Sequence, residues 1–343
     1  MASTGKERRQ AGAPNFGRRI KWLGAVFVIA MLVWTGVWFY LAQLGEKQVD
    51  KALTHGADRG QIASCENRAV KGYPFRFGLF CDSVHFEDAA QGLRLSASAL
   101  RTAAQFYNPW QLVAELDGPA RIDAPGLKPL EINWSLLHAS ARANTPLPDR
   151  VSLEGKDIDV SIRGEAGAVS RAIVTEYAAA HMRVEGKDVA FAAESGGTVI
   201  DPAVTPGRTI PAFSFSYDVV LKNGVQILGP RPKDLPAALR GSQGEIRSAI
   251  LVFKDGGEAR ATGPISTDAT GLVNATITFA FKDAEKLGAA LGKAMPESAS
   301  TIAAALSGAA VAAGKDKDAG LTLTIRKGKV SIGLFPIAQI PAL

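Results

Sequence analysis

Between Trp22 and Ala42 the chain runs 21 residues without a charge, and six basic side chains stand in front of that stretch. An apolar run of this length constrains the fold because it sets the solvent around part of the chain. A helix rises about 1.5 Å per residue, so roughly 20 apolar residues cross the hydrocarbon of a bilayer. Trp22 at one end, and Trp38 and Tyr40 at the other, stand where aromatic rings hold a helix at the two interfaces. Lys6, Arg8, Arg9, Arg18, Arg19 and Lys21 precede the run with Glu7 as their only acid, and Glu46 is the first charge after it. Basic flanks stay in the cytoplasm. The expected layout is a basic cytoplasmic tail at 1–21, a transmembrane helix at 22–44 and an exported domain at 45–343. A cleaved signal peptide has a shorter apolar core, and Tyr40–Gly45 matches its cleavage site poorly. A retained single-pass anchor is therefore the expectation.

The net charge of +6 invites a nucleic-acid reading, but the first 21 residues carry five of those charges. The remainder is nearly neutral and offers no basic field to follow a phosphate backbone. The only two cysteines, Cys65 and Cys81, both fall on the exported side. An isolated pair in an oxidising compartment reads as one disulfide; two free thiols or half of a metal site are the alternatives. His55, His85, His138 and His181 are scattered singly, without metal-ligand spacing. Neither a metal nor a cofactor is expected.

Leu44 to Ala63 lacks proline and is rich in Lys, Glu, Gln, Asp and Ala, which predicts a stalk helix at 45–63, broken near Gly56 or Gly60. From Tyr73 onward the pattern has period two. Phe75, Phe77, Leu79 and Cys81 share one strand face, and Leu93, Leu95, Ala97 and Ala99 share another. The same alternation marks Phe213–Leu221, Val273–Phe281, Leu321–Ile325 and Val330–Leu334. Asn223-Gly224, Asp255-Gly256 and Lys327-Gly328 read as hairpin turns, since Asn, Asp and Gly supply the positive φ that tight turns need. Glu154-Gly155-Lys156-Asp157 recurs as Glu185-Gly186-Lys187-Asp188, which suggests a strand–turn–strand unit used twice. Helix is expected at Asn108–Leu116, where Asn-Pro opens a segment, after Asp283 through Leu287 and Leu291, and over Ser298–Ala313. The fold class is mainly β with minor α: a large antiparallel sheet of hairpin-connected strands with a few covering helices.

Gly72-Tyr73-Pro74-Phe75-Arg76-Phe77, followed by Cys81-Asp82, resembles an uncharacterised bacterial family, domain of unknown function 2125. Tyr107-Asn108-Pro109, Asp117-Gly118-Pro119 and Lys329–Gly333 before Pro341 fit the same family. Gly271–Thr278, followed by Leu287, also resembles the C-terminal strands of AsmA-like envelope proteins, which are associated with lipid handling. Both resemblances imply an inner-membrane anchor and a β-rich periplasmic region. Neither implies a catalytic residue.

The sequence holds no nucleophile elbow, phosphate loop or dinucleotide fingerprint. Gly288–Lys293 is one spacer short of a phosphate loop and is followed by Ala294 where a hydroxyl is required. The carboxylate pairs Glu87-Asp88 and Asp157/Asp159 sit among turn-like and solvated residues, a setting for surface charge rather than acid–base chemistry. The remaining candidate site is apolar. Phe213, Phe215 and Tyr217, with Phe279 and Phe281, line a single face if their strands share a sheet, either packed under helices or open to an acyl chain. The expected role is therefore non-enzymatic: an envelope protein binding or conducting lipid along that face, or alternatively a scaffold docking envelope proteins through its sheet. Topology is directly testable: a reporter active only after export, fused after residue 343, is expected to be active, and activity confined to the cytoplasm would refute the orientation.

Overall fold

The computed structural model describes residues 16–54, 60–164, 168–229, 232, 234–313, 321–332 and 335–343. The chain divides into two units, Met1–Lys51 and Ala52–Leu343. In the first, a single helix α1, Phe16–Thr54, contains the apolar run. Within Ile20–Lys51 an 18-residue window reaches a mean hydropathy of 2.1, and the helix is long and apolar enough to cross a membrane. The predicted stalk helix does not extend to 63. The described helix runs to Thr54, residues 55–59, Gly56 among them, lie outside the described residues, and Gln61 to Ala63 already belong to a strand. Cys65 must reach a partner across the sheet, and an extended backbone places it there.

The second unit is built on an antiparallel meander. Ten short strands come first: β1 Gln61–Glu66, β2 Ala69–Lys71, β3 Arg76–Cys81, β4 Ser83–Asp88, β5 Leu93–Ala97, β6 Leu100–Gln105, β7 Asn108–Leu116, β8 Ala120–Asp123, β9 Leu130–Asn133 and β10 Leu136–Arg142. They form two arms. One runs β1–β4–β5–β8–β9, the other β2–β3–β6–β7–β10. Both arms are hydrogen-bonded to the 14-residue β11, Arg150–Arg163. The chain passes from one arm to the other at every second connection, so each pair such as β3 and β4 is one long strand interrupted at a common crease.

Several interactions mark that crease. Asn67 and Asp157 adopt positive φ. The Asn67 amide donates to Asp82 at 2.8 Å, and the Trp134 indole donates to the Leu116 carbonyl at 2.7 Å. Arg101 holds Asp117 with two hydrogen bonds of 2.7 and 2.6 Å, which keeps that carboxyl below the usual range. Cys65 and Cys81 are disulfide-bonded across the crease with Cα atoms 5.2 Å apart.

Beyond β11 the strands are simply sequential, long at first and short again from β18: β12 Val169–Glu185, β13 Asp188–Ile200, β14 Phe213–Leu221, β15 Gln243–Phe253, β16 Glu258–Thr267, β17 Val273–Lys282, β18 Leu321–Arg326, β19 Lys329–Ile332 and β20 Phe335–Gln339. Each pairs with the next. The expected turn at Lys327-Gly328 is present, with φ of 50 and 76°. At Asp255-Gly256 the positive φ angles fall on Gly256 and Gly257 instead.

Three local expectations are corrected. Asn108–Leu116 is a strand, because Trp110, Leu112, Ala114 and Leu116 share one face, with Gln111, Val113 and Glu115 on the other, and both neighbouring strands pair with it. Asn223-Gly224 opens a short helix, α2 Gly224–Leu228, and the chain returns only at β15. Gly224 is required for packing: a Cβ there would lie 2.8 Å from Val189. The repeated Glu-Gly-Lys-Asp is a turn only once. Glu185–Asp188 joins β12 to β13, whereas Glu154–Asp157 lies inside β11 at the crease.

Three more helices complete the unit. α3, Leu235–Ala238, is a single turn in the connection before β15. α4, Ala284–Ala294, is capped by the Asp283 side chain as expected, and α5 spans Ala299–Ala313. Gly288 and Gly292, the glycines of the rejected phosphate loop, allow α5 to approach: their Cβ positions would meet Leu306 at 3.5 Å and Ala299 at 3.3 Å. Leu287 and Ala290 of α4 bury themselves with Phe253. The 16-residue separation of the disulfide predicts a stabilisation of about 3 kcal/mol in the chain-entropy model. Alkylation without reductant should label no thiol, and reduction should lower the unfolding free energy of the β unit by that order. Two labelled cysteines would refute the bond.

Candidate apolar binding face

Side chains that face each other across antiparallel strands lie on the same side of the sheet, so the register defines the candidate face. Starting at β7, one line of direct partners reads Ala114, Ala139, Leu153, Ala180, Ala193, Tyr217, Ala249, Ala261, Phe279 and Leu321. It crosses ten strands without a polar residue other than the Tyr217 hydroxyl, a width of roughly 40 Å at the usual strand spacing. The parallel line reads Leu137, Gly155, Ala178, Ser195, Phe215, Leu251, Ala259 and Phe281. On the other flank run Leu112, Ala141, Val151, Met182, Phe191 and Val219.

The five aromatic residues singled out from the sequence, Phe213, Phe215, Tyr217, Phe279 and Phe281, therefore occupy one face. They are not treated alike. Phe213 and Phe281 pack with Leu251 and Ala259 against the α4 cluster of Phe253, Leu287 and Ala290, to which Leu306 of α5 also contributes. Phe215 and Tyr217 stay 37% and 39% exposed, with ring centroids 6.4 Å apart and nearly parallel planes. Leu153 and Leu112, both 44% exposed, continue that open stretch towards β7. At the opposite end of β13, Val189 is fully buried beside Gly224 of α2. The face is thus covered at two corners and open between them. Ser195 and Thr198, buried hydroxyls on this face, bond each other at 3.0 Å, and Thr175 also bonds Thr198. The sequence did not disclose Leu112, Leu153, Ala180 or Met182, because small and isolated residues become a surface only through pairing.

The reverse face is polar. Arg150, Glu154, His181, Arg183, Asp218 and Arg247 line a groove of about 490 Å³ there. Glu185 holds two of its arginines: Arg247 donates to it at 2.7 Å and Arg183 also bonds it, and the two guanidiniums hold its carboxyl down to about 2. Asp218 keeps one buried oxygen without a hydrogen bond, 3.9 Å from Arg247. The carboxylate pairs named from the sequence are engaged structurally. Asp88 caps the turn at Ala90 and Gln91, Glu87 pairs with Arg94, Asp157 accepts from Ser135, and Asp159 pairs with Arg171. Among the described residues, no three His, Cys, Asp or Glu side chains are grouped to hold a metal.

The depressed Glu185 pKa sets a pH dependence. A carboxyl whose folded pKa lies below its unfolded value adds stability above the unfolded pKa and loses it as pH falls through the folded one. The Glu185 contribution is therefore present at pH 7 and disappears between the ordinary carboxylate range and pH 2. Glu185→Gln should lower the urea midpoint at pH 7 and leave it nearly unchanged at pH 2. An equal shift at both pH values would show that charge is not what Glu185 supplies.

A search of curated proteins finds no match. A family model does match, over residues 38–341, from the end of the apolar run to the last strand and beyond. On that coverage the chain belongs to the family described as "Uncharacterized protein conserved in bacteria (DUF2125)".

Proposed function

We propose that this protein is a non-enzymatic, inner-membrane-anchored envelope protein whose periplasmic β unit binds or conducts lipid along the apolar face. The observation that carries the reading is the ten-strand line from Ala114 to Leu321, left open at Leu153 and Tyr217. Soluble proteins rarely leave a contiguous apolar patch of such extent to water. Alanines dominate the line, so its floor is shallow and smooth, suited to a flexible chain rather than to a shaped side chain. The apolar helix α1 supplies the membrane context, and the disulfide suits an oxidising compartment.

The test is to export the β unit, residues 52–343, purify it without detergent and extract it for lipid analysis. Near-stoichiometric phospholipid is the expected result. Leu153→Glu or Ala180→Glu, each placing a carboxylate on the open part of the face, should reduce bound lipid severalfold while the circular dichroism of the sheet persists. A well-folded, lipid-free unit would defeat the reading and leave the scaffold role in its place.

A further inference from the structure

The two ends of the apolar face differ. Phe213, Phe253 and Phe281 lie under α4 at one end. The other end carries exposed aromatic rings on its hairpin tips. Tyr107, in the β6–β7 turn, is 76% exposed, Trp110 65%, and Phe75 in the β2–β3 turn 62%. The two turns adjoin, since the Phe106 N–H donates to the Phe75 carbonyl at 2.9 Å. Trp110 has the parity of Leu112 and Ala114 on β7, so it extends the apolar face to its rim.

A second observation concerns charge at the same end. On the reverse face, Arg142, Arg150 and Arg183 are direct partners on three adjacent strands, β10, β11 and β12. Like charges directly opposite one another weaken a sheet. Arg183 is offset by Glu185 and Arg142 by Asp149 at 3.7 Å, whereas Arg150 has no acidic partner among the described residues. Amphipathic rings at the tips and an arginine row beside them match the chemistry of an anionic headgroup layer, where Trp and Tyr settle and basic side chains meet lipid phosphates.

We propose that this end of the β unit docks into the headgroup layer of an anionic phospholipid bilayer, so that lipid enters the apolar face at its Trp110 rim. The proposal rests on the reading that α1 anchors the chain. The covalent connection enters the β unit at Gln61, at the end of the split strands opposite these tips. The tether thus confines the unit near the bilayer, where even a weak contact is populated, and the contrast between the tips and the β8–β9 loop reads the tips' own affinity.

The full-length protein is reconstituted into vesicles of phosphatidylethanolamine and phosphatidylglycerol, with benzoylphenylalanine replacing Tyr107, Trp110, Leu127 or Val33 in turn. Leu127 is an equally exposed position, in the β8–β9 loop. Val33 lies in α1. Photolysis should give lipid adducts at 107 and 110 at least about fivefold above those at 127. Replacing Arg142, Arg150 and Arg183 together by Gln should lower the adducts at 107 and 110 by about fivefold or more, since one basic side chain near such a surface is worth roughly that factor, and should leave Val33 unchanged. Adducts at Val33 with only the Leu127 level at 107 and 110 overturn the docking while the anchor stands. An arginine-independent yield overturns the charge argument. No adduct at Val33 refutes the anchor, and the docking with it.

Discussion

Across the ten paired strands β7, β10 and β11 to β18, one uninterrupted line of apolar side chains stays on the same side of the sheet, and the rest of the molecule depends on that shared register. Side chains alternate with period two, so slipping one strand by a single residue would send its whole apolar set to the polar face. The irregularities in pairing leave the central line unbroken. Breaks at Val160/Ser161, Ser195/Thr198, Asp218/Val219 and Ile246/Ala249 absorb extra residues without moving Leu153, Ala180, Ala193, Tyr217 or Ala249 out of line. Gly263 shows how closely the strands approach, for a Cβ there would lie 2.1 Å from the Thr276 carbonyl oxygen.

The crease is the counterpart of that continuity. β11 runs through it, while five long strands on one side of β11 break along a common line. The side chains at those breaks are occupied with one another: Asn67 with Asp82, Arg101 with Asp117, Trp134 with the Leu116 carbonyl and Ser135 with Asp157. An interrupted ladder leaves backbone groups that must find partners, and these polar contacts compensate for the missing regularity. The disulfide adds a covalent tie at the same line.

Much of this was legible in the sequence, and the exceptions have physical causes. The apolar run, the cysteine pair and the aromatic strands Phe213–Leu221 and Val273–Lys282 signal themselves through local composition. β12 and β13 are among the longest strands, but runs such as Ala178-Ala179-Ala180 and Gly196-Gly197 separate their strand formers and obscure the alternation. Their identity comes from partners on both sides. Asn108-Pro109 carries a helix-start signal that tertiary pairing overrides, and propensity is weak against such context. Of the candidate face, the five aromatic residues could be named from the sequence, but the alanine floor between them exists only in the register.

One feature of the topology bears on how the chain is made. After β10, strand order in the sheet is strand order in the sequence, so each new strand adds to the edge its predecessor has just completed. Nothing already paired must reopen, and no later strand is inserted between earlier ones. A polypeptide emerging amino terminus first from a narrow exit can thus assemble in the order of its emergence, with the growing edge held by the segment that left the exit last. Contacts between sequence neighbours form quickly, and the exposed edge, the part of any sheet most prone to mispairing, is extinguished at each step by the next strand of the same chain.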